Sequence, residues 1–80
     1  MRSTRRAWVA GLSDREIEVL RLVARGHSNR QMAALLSLSA FTIHHHIQHI
    51  YSKLSVSTRA AATLFAMQHH LLDGRDEANK

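Results

Sequence analysis

Four of the chain's seven histidines, His44, His45, His46 and His49, crowd into one short stretch with Gln48 among them. Imidazoles so placed can ligate a metal ion, relay protons, or hydrogen-bond to a base or a phosphate. For a metal the spacing is suitable, with His45 and His49 at i, i+4 and His46 and His49 at i, i+3. The rest of a shell is missing: the chain has no cysteine, and no Asp or Glu lies between Val19 and Leu72. A resident metal or other cofactor is therefore not expected, although adventitious nickel or zinc would find this surface. Catalysis fares no better. Glu16 is an isolated carboxylate with no second acid, no activated nucleophile and no glycine loop, so no enzyme is expected. Hydrogen bonding to a polyanion remains. The acid-free stretch carries Arg21, Arg25, Arg30, Lys53, Arg59 and every histidine, and the whole chain has a formal net charge of +5. Nucleic-acid binders present such a face, and so does an ordinary solvated basic surface.

The elements that would position these residues are all helices. Eighty residues make one domain, with a thin core and no disulfide to staple it. The lack of cysteine fits a reducing, cytoplasmic setting. Ala7 to Ala10 is too short for a signal-peptide core, and no stretch approaches a membrane span. Residues 1–11 read as a basic leader bearing Arg2, Arg5 and Arg6, with Trp8 and Val9 docking on the core. Residues 12–72 read as the domain and 73–80 as a charged tail. The first helix, about 13–25, starts at a capping box of Ser13 and Glu16 and ends at Gly26, a left-handed cap. Ile17, Leu20 and Ala24 form its stripe, with Val19 and Val23 beside it. Glu16 projects toward that apolar side. The capping box accounts for it, and a pairing with Lys53 or Arg59 is the alternative.

The second helix, about 28–36, repeats the box with Ser28 and Gln31 and buries Met32, Leu35 and Leu36. Ser37-Leu38-Ser39 is a tight connector, the short link a helix-turn-helix pair needs, with Ser39 capping the third helix. That helix spans about 40–54. Projected at about 100° per residue, Ile43, Ile47, Ile50 and Leu54 form one narrow core stripe. His45, Gln48 and Ser52 fall opposite; His44 and Tyr51 flank one edge, and Thr42, His49 and Lys53 the other. His46 lies at the border of the stripe, a bracing position. An aliphatic seam backed by donors and acceptors without a carboxylate suits a major groove. Ser55-Val56-Ser57 breaks the chain, with Ser57 as the expected cap of a fourth helix, about 58–70. Its apolar residues take two sides, Ala60, Leu64, Met67 and Leu71 on one and Ala61, Phe65 and Leu72 on the other. One side can pack on the core, and the second asks for more core or a second protomer.

Leu12-Ser13-Asp14-Arg15-Glu16, Val19-Leu20, Gly26, Ser28-Asn29, Ala33, Leu36, Ser39, Thr42-Ile43, His46, Ile50, Lys53-Leu54, Val56 and Arg59 resemble the LuxR-type helix-turn-helix signature. The same domain is called GerE-like or FixJ/NarL-type. The resemblance covers about residues 12–72. It implies an all-α, compact four-helix domain with a central helix-turn-helix, the output end of a larger bacterial transcription regulator. Its third helix would enter the major groove, and its fourth would mediate dimerisation on an imperfect palindrome. RNA polymerase is a further partner that the resemblance leaves open. The sequence departs from the pattern where His44 replaces a usual lysine, where Ser37 and Ser55 replace usual glycines, and at Gln31-Met32. The departures on the third helix leave no basis for borrowing a DNA sequence preference.

His44, His45 and Gln48 are the candidate base readers, since Gln pairs two-pronged with adenine and His donates to guanine. Ser28, Asn29, Arg30, Ser39, Thr42, His49 and Lys53 are candidate phosphate contacts, and Arg59 a longer-range attraction. Ser28 and Ser39 also have capping duties that would explain them without DNA. Ala61, Leu64, Phe65 and Gln68 are the candidate dimer seam. The competing class is a helical protein–protein module with a basic face.

Overall fold

Every described helix begins on a hydroxyl. The computed structural model describes residues 10–69 and contains α1 (Asp14–Ala24), α2 (Asn29–Leu36), α3 (Ala40–Leu54) and α4 (Arg59–Gln68). Trp8, Val9, His70, Leu71, Leu72 and the 73–80 tail lie outside the described residues. The hydroxyls of Ser13, Ser28, Ser39 and Thr58 each accept from the backbone N–H three residues on, at 3.0–3.1 Å. Both capping boxes are complete: the Ser13 and Ser28 amides donate to Glu16 Oε1 and Gln31 Oε1, each at 2.9 Å. The cap of α4 is Thr58 rather than Ser57. The Ala62 amide donates to the Thr58 carbonyl at 3.1 Å, which makes Thr58 the half-helical residue whose hydroxyl meets the next free amide.

Three helices end in the same way. After α1, Gly26 N–H donates to Val23 O and His27 N–H to Leu22 O, the paired bonds of a Schellman cap around a left-handed residue. Ser37 and Ser55 repeat the pattern after α2 and α3, with φ of 58° and 57°. The residues that follow, Leu38 and Val56, tuck partly against the core. A side chain in this conformation is strained, and only glycine escapes the strain. Ser37→Gly and Ser55→Gly should therefore each stabilise the domain by about 0.5–1 kcal/mol, net of the freedom glycine adds to the unfolded chain. Urea melts of the two variants check this, and a loss of stability in both would contradict it.

The core sits where α1 meets α3 and α4, with α2 packed on α3. Ile17, Val19, Leu20 and Val23 of α1 face Ile43, Ile47 and Ile50 of α3, and Met32 closes the α2 side. The expected seams of α2 and α4 need correction. Leu35 is 59% exposed, because α2 is short and the side that meets its neighbours carries Met32, Ala33 and Leu36. On α4 the fully buried residues are Ala62 and Ala66, neither of which the large-residue pattern marked. Small side chains let α4 approach α1 closely, and this turns Leu64 and Met67 outward, each 54% exposed. Phe65 covers one flank and stacks on His69 with ring centroids 4.1 Å apart.

Candidate nucleic-acid interface

With Ile43, Ile47 and Ile50 buried, the opposite face of α3 stands in solvent. His44, His45, Gln48, His49 and Ser52 are exposed there, while His46 is half-buried at the border of the seam. Phe41, on the first turn, is 77% exposed. Its ring, with those of His45 and His49, forms a column along the helix. Phe41 and His45 are stacked at 6.3 Å, and His45 and His49 tilted at 4.6 Å. Sequence projection had placed His45 and Gln48 outward and left Phe41 out. Its i, i+4 relation to His45 was the available signal.

The candidate phosphate contacts fall into three local groups. At the start of α3, Ser39 caps the helix and its hydroxyl also donates to Thr42 Oγ1 at 3.0 Å. Around the start of α2, Ser28 is engaged in its capping box and Arg30 is exposed. Arg59 Nη2 donates to Asn29 Oδ1 at 3.1 Å and Nη1 to the His27 carbonyl at 3.0 Å, so this arginine ties α4 to the start of α2. The third group surrounds Glu16. Lys53 Nζ donates to Glu16 Oε1 at 2.8 Å and to the Gly11 carbonyl at 3.3 Å, and His49 Nδ1 lies 3.8 Å from Glu16 Oε2.

Glu16 thus fills both of its anticipated roles at once, closing the capping box and pairing with Lys53. Its side chain is only 7% exposed, against 40% for Lys53. Burial pushes its carboxyl pKa up, but hydrogen bonds from Lys53 and the Ser13 amide, the Lys53 charge and the Ser13 hydroxyl together outweigh it. The net effect is a carboxyl held below its ordinary value. The lysine expected on a phosphate is therefore already held by a carboxylate from α1. The dimer candidates stand apart on α4, where Leu64 and Gln68 are exposed and Ala61 and Phe65 partly covered. Among the described residues, no group of three or more His, Cys, Asp or Glu is placed to hold a metal ion. None of the described helices is long and apolar enough to cross a membrane.

Two short helices joined by three residues, the second with its polar face outward, have the form of a helix-turn-helix. Residues 10–66 match the family described as "Bacterial regulatory proteins, luxR family". The chain belongs to that family. This luxR-family domain is 39% identical over 61 residues to the response regulator protein VraR of Staphylococcus aureus and of Staphylococcus epidermidis, covering 76% of the chain and 29% of VraR. Among solved structures it is similar to the response regulator ChrA of a heme-sensing two-component system. That likeness is 51% in sequence with a TM-score of 0.70, over 76% of this chain and 30% of ChrA. The chain thus spans less than a third of the length of the relatives it matches. As a luxR-family, all-α helix-turn-helix domain, it is a DNA-binding unit of transcription regulators.

Proposed function

We propose that the luxR-family domain binds double-stranded DNA with α3 in the major groove, as the output domain of a larger regulator in the bacterial cytoplasm. His45 and Gln48 read base edges, with His44 beside them. Ser39, Thr42 and the start of α2 with Asn29 and Arg30 hold the backbone. One observation carries this reading: the exposed face of α3 holds donors and acceptors and no carboxylate, directly behind three buried isoleucines. Leu64 and Met67, turned outward on α4, favour a second copy of the domain on an inverted half-site.

Duplexes enriched from a random pool by the full chain test the reading. An enriched duplex should bind far more tightly than its scrambled counterpart, and inverted half-sites should lie about one helical turn apart. The logarithm of affinity should fall linearly with the logarithm of salt, by about 0.9 per phosphate contact. Equal binding to scrambled DNA would remove base reading, and a single unrepeated half-site would remove the dimer.

A further inference from the structure

Phe41 is the most exposed of the large hydrophobic side chains among the described residues. It is absent from the core and its flanking apolar residues, and among the described residues its ring contact is the loose stack on His45 at 6.3 Å with planes 25° apart. Its direction is specific. At about 100° per residue it points about 30° from the outward pole of α3, about 40° from His45 and about 20° from Gln48. It also lies on the first turn of α3, and recognition helices contact base edges mainly through their N-terminal residues. The other large exposed hydrophobic side chains among the described residues, Leu35, Leu64 and Met67, lie on α2 and α4.

A phenyl ring can neither donate to a phosphate nor pair with an amide edge. Among the unmodified bases, only thymine offers an apolar group to the major groove, its C5-methyl. A protein partner fits less well, because docking patches are contiguous over a few hundred Å². This is one ring set among histidines and a glutamine.

We propose that Phe41 selects a thymine in each half-site by packing on its C5-methyl, next to the base pairs that His45 and Gln48 contact. The proposal rests on the major-groove reading above. Phe41 adds an apolar specificity element to a face otherwise built of hydrogen-bonding groups. The stack on His45 holds the ring forward along the helix and couples the two contacts.

The test uses duplexes enriched by the full chain, in which each thymine is replaced singly by deoxyuridine. That exchange deletes the methyl group and leaves base pairing intact. For the wild-type chain, one thymine per half-site should cost about fourfold in affinity when exchanged, the value of burying one methyl. For Phe41→Ala the same exchange should cost almost nothing, and enrichment by that variant should lose the thymine at that position. Phe41→Leu should retain part of the preference. If wild type enriches a site but no exchange couples to residue 41, or the position tolerates any base, Phe41 does not read a methyl. If wild type enriches no sequence, the major-groove reading itself fails and takes the inference with it.

Discussion

Gln48→Glu should leave the domain folded and lower its affinity for an enriched duplex by about two to four orders of magnitude. Gln48 is exposed on α3, so the exchange touches no core contact, and surface changes of this kind usually stay within about 0.5 kcal/mol of wild-type stability. On DNA two losses combine. The base contact contributes about 1–3 kcal/mol of discrimination. A carboxylate carried into the groove also faces phosphates on both walls, and one pair of charges at about 8 Å and an effective dielectric near 20 repels by about 2 kcal/mol. A total of about 3–5 kcal/mol corresponds to a loss of about two to four orders of magnitude. Gln48→Ala separates the two terms, because it removes the contact without adding charge. Its loss should appear on the enriched duplex and barely on a scrambled one. Equal losses on both would show that Gln48 contacts the DNA backbone and not bases.

Glu16→Ala should destabilise the domain by about 2–4 kcal/mol, which in a chain of this size lowers the melting temperature by roughly 8–30 °C. The substitution removes three things together: the acceptor for the Ser13 amide, the partner of Lys53, and a side chain that fills the edge of the core. Capping losses alone run to about 1 kcal/mol. The pH dependence carries the sign of a lowered carboxyl. In the unfolded chain Glu16 titrates at its ordinary value, and in the fold its pKa lies below that. The stability it contributes is therefore fully present above the ordinary carboxylate range and is lost as pH falls through the folded value. Wild type should lose more stability than Glu16→Ala on acidification from pH 6 to pH 3 in urea melts. Parallel losses would mean that the pair with Lys53 contributes nothing to folding. In Lys53→Met, with its cationic partner gone, burial should push the Glu16 carboxyl up, which carboxyl carbon NMR would record.

The starts and stops of the helices were largely legible because they are local chemistry. Ser13 with Glu16, and Ser28 with Gln31, each specify two hydrogen bonds within four residues, and both boxes are complete. The stripe of α3 was equally legible, since three isoleucines at helical spacing leave one face for the core. What depends on neighbours was not. Ala62 and Ala66 give a weak hydrophobic signal beside Leu64 and Met67, yet close approach of α4 to α1 selects the small residues. Leu35 looked apolar enough to bury, but α3 covers only one side of a two-turn helix, the side of Met32, Ala33 and Leu36. At the interface, His45 and Gln48 followed from projection. Phe41 did not, because an aromatic residue reads by default as core and only the packed fold shows it to be bare. The pairing of Arg59 with Asn29 and of Lys53 with Glu16 joins residues far apart in sequence. Charge alone could propose such partners and could not choose between them.

Methylation interference on an enriched duplex tests most directly whether α3 reads the major groove. Dimethyl sulfate places a methyl on guanine N7 in the major groove and on adenine N3 in the minor groove. If α3 lies in the major groove, N7 methylation at one or two guanines of each half-site should abolish binding, while N3 methylation there is tolerated. Interference confined to adenine N3, or none at defined positions, would contradict the assignment of His45 and Gln48 to base edges.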